Sequence, residues 1–448
     1  MDLCEFIVHA APPAAAHGAA ARAVLDTVGV MLAGASEPAA RIVQRVIANE
    51  GNGACRILGT GFIASATNAA LANGTAAHAL DFDDMCFVSL AHPSAPLVAA
   101  VLAAGELVHA SGRALLDAYI VGFELEGRLG RAMNPRHYQR GWHCTSTLGT
   151  IGTAAAAARL LGLDATAAGH AVCIAASEAS GLKENFGTMV KPLHAGLAAR
   201  NGVLAARLAQ AGMTAGVDAL QGAQGFLVAM DGERDPKAFG DFTADLGSRW
   251  EILETGITVK LYPSCAATHP MLDALLDLKR RERFSADEVS EIQIGVDAIT
   301  PTVLIHDRPA TGLQAKFSMP FCAAAAIVYG RVGIDTFDER QLQDPSMTAV
   351  RDRVAMQVDP TLDASAPPLT QARVAVRLRD GRVLSASANG ARGYPERPAS
   401  DDELGTKFLS CAARVMPEAR AMESLAIMRD IENVSDVGAV TALLQTQG

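Results

Sequence analysis

The chain has 448 residues, half of them apolar and only 5% aromatic, so it is long enough for two or three domains and is dominated by small aliphatic side chains that suit packed helices. Its net charge is −10 and it contains no basic tract, which argues against nucleic acid as a partner. The eight cysteines are scattered without a C-x-x-C pair, a pattern that predicts reduced thiols and argues against a disulfide frame or a structural zinc or iron–sulfur site.

The first 258 residues predict one helical domain. The N-terminus is acidic where a signal peptide needs positive charge, and no stretch reaches about 20 uninterrupted apolar residues, so we expect a soluble, cytoplasmic protein without a membrane span. Helical periodicity or runs of small residues mark a helix from residue 146 onward and the segments 19–33, 37–50, 95–108, 112–131, 165–177 and 195–211. The many Gly and Ala residues allow close approach, which indicates a compact bundle.

A smaller α+β domain is predicted over residues 259–397. Ile292, Ile294 and Val296 alternate as in a strand, and two further alternating runs flank Asp380-Gly381, a dipeptide typical of type I′ hairpins. Residues 398–448 predict a return to the helical domain. The expected fold class is therefore mainly α, with a large all-helical domain built from both termini, an inserted α+β lid and a cleft between the two.

The segment from His78 to Ser94 combines three carboxylates with two histidines between apolar helices. Asp81, Asp83 and Asp84 follow His78, and His92 precedes a proline near a helix start. Titratable groups in such a setting are costly unless they are used or fully paired, so we interpret the segment as an active-site wall. The alternative is a solvated loop with an ordinary N-cap aspartate.

Other candidate residues also precede helix starts. His143 is placed to act as acid or base, or is a structural histidine. Lys191, reinforced by Lys183, predicts a carboxylate clamp, although surface lysines would look the same. Four residues near the domain boundary could close over a ligand or form an interdomain salt bridge: Lys260, Tyr262, Cys265 and His269. No G-x-S-x-G, Walker A or H-E-x-x-H motif is present, and the set suits proton transfer on a small polyanion.

Long blocks of the chain resemble the MmgE/PrpD family, which includes 2-methylcitrate dehydratase, cis-aconitate decarboxylase and iminodisuccinate epimerase. In chain order the blocks are DTVGVMLAG, HALDFDDMCFVSLAHPSAP, GWHCTSTLGTIGTAAAAARLLGL, GTMVKPLHAGLAARNGVLAA, ITVKLYPSCAATHPMLDA and KFSMPF. The resemblance implies the helical domain with its α+β lid, usually a homodimer, and chemistry without a cofactor or metal. It also implies a set of cleft residues: Asp81, His92, His143, Lys191 and Lys260.

Three positions depart from the family pattern. Met85 replaces a small polar residue, Phe321 replaces a tyrosine, and Cys265 stands where the decarboxylase branch carries histidine. These differences disfavour decarboxylation.

The resemblance implies an enzyme that abstracts a proton α to a carboxylate in a small di- or tricarboxylate. Lys191 and Lys260 would hold carboxylates, while His143 and His92 would serve as base and acid and Asp81 would orient one of them. We expect a dehydratase similar to 2-methylcitrate dehydratase. The alternatives are an epimerase of an iminodisuccinate-type dicarboxylate and a non-catalytic helical dimer that binds a carboxylate.

Overall fold

Two compact units make up the molecule. The computed structural model describes residues 2–50, 53–233, 235–362 and 370–446. The first unit comprises the chain up to Asn185, Met189–Thr258 and the residues from Ser400 onward, whereas the second comprises Phe186–Thr188 and Val259–Ala399. The short second-unit segment Phe186–Thr188 is not anticipated by the sequence pattern.

The first unit is built on closely packed helices. Gly196 and Gly202 of one central helix allow this packing, because a Cβ on Gly196 would lie 2.3 Å from the backbone oxygen of Leu71, and one on Gly202 would lie 2.6 Å from the backbone nitrogen of Ala154. The helices before Thr258 are α1 (Leu3–His9), α2 (Ala14–Gly34), α3 (Pro38–Ile47), α4 (Ala66–His78), α5 (Ser94–Val108), α6 (Gly112–Met133), α7 (Arg136–Gln139), α8 (Cys144–Leu160), α9 (Ala165–Glu178), α10 (Val190–Gln210), α11 (Phe226–Asp231) and α12 (Glu251–Glu254).

A short β-hairpin lies between α3 and α4. Strands β1 (Cys55–Arg56) and β2 (Ile63–Ala64) pair antiparallel, and the backbone N–H and guanidinium of Arg56 both donate to the buried carboxylate of Glu106. Because strands occur in the first unit as well as the second, the prediction of a mainly α chain with an all-helical large domain is wrong. The fold is a helix-rich mixed α/β fold.

The second unit packs helices on one face of a four-stranded sheet. Its elements are α13 (His269–Glu282), β3 (Val289–Val296), α14 (Gly312–Ala315), α15 (Met319–Tyr329), α16 (Glu339–Leu342), α17 (Pro345–Arg351), β4 (Val354–Val358), β5 (Gln371–Leu378) and β6 (Val383–Asn389). The strand order is β4-β3-β5-β6, with β3 and β4 parallel and the other pairs antiparallel. Ile292, Ile294 and Val296 are buried, as their alternation predicts. The hairpin connection spans residues 379–382 and is longer than the two-residue turn that Asp380-Gly381 predicts.

The C-terminal segment belongs to the first unit. It contains α18 (Asp401–Ala412), α19 (Glu418–Arg429) and α20 (Val437–Leu443). The predicted capping box at the start of α18 is present, because the Ser400 side chain accepts from the Glu403 backbone and the Glu403 carboxylate accepts from the Ser400 N–H. This cap fixes the start of a helix that packs against α2.

The apolar helices do not include a single membrane span. Within the described parts of the chain, no one helix is both long and apolar enough to cross a membrane. Helices α2 and α3 reach the necessary length and hydropathy only when they are taken together, and they are bent by 83° at their junction.

Candidate active site

The loop after α4 carries three buried carboxylates, Asp81, Asp83 and Asp84, into the interior of the first unit. The helix ends at His78, and Asp81 follows in the left-handed region with a φ of 51°. A residue other than Gly in this conformation is strained by about 1 kcal/mol or more, so the surrounding structure must hold it. The resulting turn buries Asp81 and Asp83 together with the His78 side chain.

Lys191 of α10 donates hydrogen bonds to this loop and its preceding helix. Its Nζ lies 2.5 Å from Asp81 Oδ1 and 2.9 Å from His78 Nε2. An ammonium group has no acceptor site, so His78 Nε2 accepts and His78 Nδ1–H donates to Asp83 Oδ2 at 2.7 Å. The four side chains therefore form one chain of hydrogen bonds.

The protonation states of this chain follow from burial and mutual charge. Burial and the nearby Lys191 ammonium together lower the pKa of His78 by more than the Asp83 and Asp81 carboxylates raise it, so the imidazole is neutral. Burial would raise the pKa of Asp83, but the His78 and His92 imidazoles and their hydrogen bonds outweigh it and hold that pKa well below its usual value. Asp83 is therefore a carboxylate that receives a neutral imidazole as donor.

His92 forms the more accessible edge of the cluster. Its Nδ1 lies 3.4 Å from Asp83 Oδ2 and its Nε2 lies 4.0 Å from Asp81 Oδ1. The ring packs edge-on against His78 with centroids 4.6 Å apart. The His92 side chain is 12% exposed, whereas those of His78 and Asp83 are fully buried, so His92 is the more solvent-accessible of the two histidines. Its backbone N–H donates to the Thr145 hydroxyl of α8 at 2.9 Å.

His143 caps the start of α8 and brings a second imidazole pair to the cluster. Its backbone N–H donates to the Gly181 carbonyl at 3.0 Å, and its ring stacks on His78 with centroids 5.7 Å apart. Its Nδ1 lies 3.0 Å from Nδ1 of His194 on α10, so one of the two nitrogens carries the proton that the other accepts.

Both members of this pair are held in the neutral form. Burial lowers the pKa of His143 well below the ordinary histidine value, and the Lys191 ammonium lowers it further. Burial also lowers the pKa of His194 to about 4. A neutral imidazole at pH 7 is able to accept a proton from a substrate.

The structure brings four predicted residues together and adds others. Asp81, His92, His143 and Lys191 share one cluster, as the sequence pattern suggests. His78, Asp83 and His194 join them although they are absent from the predicted catalytic set. Helix α10 begins at Val190 rather than near residue 195, so Lys191 and His194 lie three positions apart on one helix face. A helix predicted to begin at Val190 would have indicated that His194 lies near Lys191.

Lys183 occupies a different position from the predicted carboxylate clamp. Its Nζ donates to the Tyr138 carbonyl at 3.2 Å and lies 3.4 Å from the centroid of the Tyr138 ring. Burial lowers the pKa of the Lys183 ammonium. The side chain therefore contributes to fastening the polar loop before α8.

The boundary candidates lie in the second unit. Lys260 is fully buried, and the Cys265 N–H donates to the Lys316 carbonyl at 3.0 Å. Tyr262 donates to Asp273 at 2.7 Å and packs edge-on against His269, whose Nε2 lies 3.2 Å from a backbone carbonyl. Burial raises the pKa of the Tyr262 hydroxyl, which therefore stays protonated. Substrate binding by these four residues remains a prediction.

Four of the clustered groups also have the spacing of a possible cation site. The ligand atoms of His78, Asp81, Asp83 and His92 all lie within 4.8 Å of one another. The Lys191 ammonium already donates to Asp81 and His78, so a metal ion that used the same atoms would have to displace it. We therefore regard the ammonium as the cation of this cluster.

Comparison with known proteins gives two family matches and several relatives that align with most of the chain. Residues 2–238 match the MmgE/PrpD N-terminal domain and residues 262–433 match the MmgE/PrpD C-terminal domain. Human cis-aconitate decarboxylase is 28% identical over 391 residues, which cover 85% of this chain and 79% of that protein. The cis-aconitate decarboxylase-like protein oryM of Aspergillus oryzae is 28% identical over 468 residues (99% and 96%), and cis-aconitate decarboxylase of Aspergillus terreus is 26% identical over 443 residues (94% and 90%).

Proposed function

Because the chain belongs to the MmgE/PrpD family, we propose that it is a lyase that moves a proton at the carbon next to a carboxylate in a small di- or tricarboxylate. One observation carries the proposal: Lys191 donates to Asp81 and His78 in a buried cluster that also contains His92 and His143. Such a cluster supplies a cation, a neutral base and a second proton carrier within one small volume.

The Lys191 ammonium can stabilise the negative charge that develops in such a reaction. Removing a proton next to a carboxylate creates an enolate-like charge on the carboxylate oxygens. A positive charge about 3 Å from that oxygen stabilises it by about 5 kcal/mol at an effective dielectric constant of about 20. This corresponds to several powers of ten in rate, so we assign this role to Lys191.

The imidazoles supply the proton transfers. We assign the base to His143, since burial and the nearby ammonium keep it neutral. We assign the acid to His92, because carboxylates at 3.4 and 4.0 Å stabilise the imidazolium form from which a proton is donated.

Dehydration of a 2-methylcitrate-like substrate is the finer proposal. In this reaction the C–H proton goes to His143, the electron pair forms the alkene, and the neighbouring hydroxyl leaves as water with a proton from His92. The reaction needs both a base and an acid, and the cluster offers both.

In the second unit the Phe321 and Phe337 rings pack with their centroids 5.8 Å apart. Phe321 has no hydroxyl, whereas the family resemblance leads us to expect a tyrosine at this position.

Decarboxylation of a cis-aconitate-like substrate is the second candidate. It is supported by the names of the similar proteins described above, which are cis-aconitate decarboxylases. In this reaction carbon dioxide leaves, and a proton donor such as His92 delivers a proton to carbon.

A panel of substrates distinguishes the candidates. The protein is incubated separately with 2-methylcitrate, cis-aconitate and iminodisuccinate, and each reaction is followed by proton NMR. A new alkene from 2-methylcitrate supports dehydration, and a product with one carboxylate fewer from cis-aconitate supports decarboxylation. Inversion of iminodisuccinate without any net elimination would replace the lyase with an epimerase. Binding of these compounds without any reaction would contradict the proposed enzyme and favour a silent carboxylate binder.

A further inference from the structure

A buried lysine from the C-terminal segment contacts the loop that carries the clustered carboxylates. Lys407 of α18 lies 2.8 Å from Asp26 Oδ1 of α2 and donates to the Phe82 carbonyl at 2.8 Å. Its Nζ also lies 4.0 Å from the centroid of the Phe82 ring. Phe82 is the residue between Asp81 and Asp83, so two helices that are distant in sequence meet at the centre of this loop.

Burial of this ion pair has a desolvation cost that opposes folding. The Lys407 side chain is 5% exposed and that of Asp26 is fully buried, and burial raises the pKa of Asp26 despite its partner. Replacing such a buried pair by apolar residues is often neutral or stabilising, so stability alone does not account for it. Asp26 belongs to the DTVGVMLAG block.

Contacts from other helices must hold the conformation of the loop that contains Asp81, Phe82 and Asp83. Asp81 is held in a strained left-handed conformation, and Asp83 must face both His78 and His92. A donor on the Phe82 carbonyl fixes the peptide plane between Phe82 and Asp83, and a cation over the Phe82 ring restrains the side chain as well. Displacement of reacting groups by about 1 Å can cost about 10²-fold in rate.

We propose that Lys407, held by Asp26, is a positioning residue that sets the loop so that Asp81 and Asp83 face Lys191 and the histidines. The inference rests on the proposed function only for its catalytic consequence, since the placement of the loop is measurable without turnover.

The test uses a double variant, Asp26→Asn with Lys407→Met. This change removes both charges at nearly constant volume, so no buried charge is left unpaired and the protein should remain folded. Lys407→Arg, which keeps a cation beside Asp26, is the conservative variant. Glu106→Gln is the control, because it weakens a partly buried ion pair with Arg56, outside the loop.

Two readouts separate positioning from a purely structural role. The first is the ring N–H resonance of His78, which donates to Asp83 and reports the placement of the loop. The second is kcat on the substrate that the NMR panel identifies. We expect the double variant to shift the His78 resonance and to lower kcat at least tenfold. Lys407→Arg should retain much of the wild-type kcat and resonance position. Glu106→Gln should leave the resonance in place and kcat within about twofold of wild type.

The outcomes are distinguishable from a failure of the proposed function. A shifted His78 resonance in a protein that turns over none of the compounds would support positioning of the loop and contradict the lyase. An unchanged resonance in the folded double variant would overturn the positioning role, whatever the value of kcat. A shifted resonance with unchanged kcat would overturn its catalytic consequence.

Discussion

Replacement of Lys191 by Met tests the role of the ammonium in the cluster. Met has a similar length and removes the charge that donates to Asp81 at 2.5 Å and to His78 at 2.9 Å. The substitution leaves Asp81 with the His92 imidazole 4.0 Å away. Asp81 then lacks its ammonium partner, and a substrate that develops negative charge in this cluster lacks the nearby cation.

The expected magnitude follows from these distances. At 2.5 Å and an effective dielectric constant of about 20, two unit charges attract by about 7 kcal/mol, which is an upper limit for the lost interaction. Loss of a preorganised charge-stabilising group usually costs about 3–4 kcal/mol in the transition state, so we expect kcat to fall by about 10²- to 10³-fold. Breaking a buried ion pair should also lower the free energy of unfolding by about 3–5 kcal/mol.

The variant also predicts a change at a neighbouring histidine. The ammonium is one of the causes that lower the pKa of His78, so that pKa should rise in Lys191→Met while Asp83 remains a carboxylate beside it. Proton uptake by His78 would replace part of the missing positive charge and would limit the loss of stability.

The assay combines kinetics, denaturant unfolding and an NMR titration of the histidines. Lys237→Met is the control, because Lys237 is exposed whereas Lys191 is buried. We expect the control to match wild type in all three measurements. A value of kcat within threefold of wild type in folded Lys191→Met would refute the electrostatic role of the ammonium.

The remaining predictions concern the base, its pH dependence, a buried acid and metals. His143→Gln should lower kcat at least about 10²-fold, whereas His137→Gln, which alters a buried histidine bonded to a threonine hydroxyl, should not. Because burial lowers the pKa of His143 and brings that of His194 to about 4, the acidic limb of the kcat profile should lie below pH 6.5, and a midpoint at or above it would contradict a neutral buried base. Burial raises the pKa of Asp84 to about 8, so the folded state keeps this proton to a higher pH than the unfolded state. The free energy of unfolding should therefore fall as the pH rises from about 4 to about 8. Asp84→Asn should show a weaker decline, and an identical dependence on pH in both proteins would contradict this. Dialysis against EDTA should leave kcat unchanged. A loss of kcat that an added divalent ion reverses would contradict the role of the ammonium as the cluster's cation.

The sequence predicts the strands of the second unit better than the small hairpin of the first. Ile292 to Val296 alternate over a long strand, so local pattern and burial agree. Strands β1 and β2 contain two residues each, too few for a periodic signal. Their position depends on the contact between Arg56 and Glu106, which are 50 residues apart in the chain, and this tertiary dependence is why the mainly α prediction failed.

The candidate site is partly visible in the sequence because its titratable residues are concentrated near helix ends. Asp81 and His92 lie in one short segment, and this concentration indicates a functional wall. The partnership of Lys191 with His78, 113 positions away, depends on the packing of α10 against α4. His194 was missed because the prediction started the helix after Pro192, although a proline is tolerated in the first turn.

The anchoring of the loop by Lys407 could not be predicted from local pattern. Its partner Asp26 is 381 positions away, and each residue alone looks like a polar side chain on a helix. Only the folded arrangement shows that both are buried beside Phe82.

Exchange of solvent deuterium into substrate carbon tests the central claim most directly. Wild type and His143→Gln are incubated in D₂O with 2-methylcitrate and cis-aconitate, and deuterium next to the carboxylates is measured by NMR in recovered substrate and in product. The account predicts deuterium at that carbon with wild type and a loss of at least about 10²-fold in its rate with His143→Gln. Equal rates of incorporation by both proteins, or equal rates of turnover by both proteins where elimination outpaces exchange, would contradict proton transfer by this cluster.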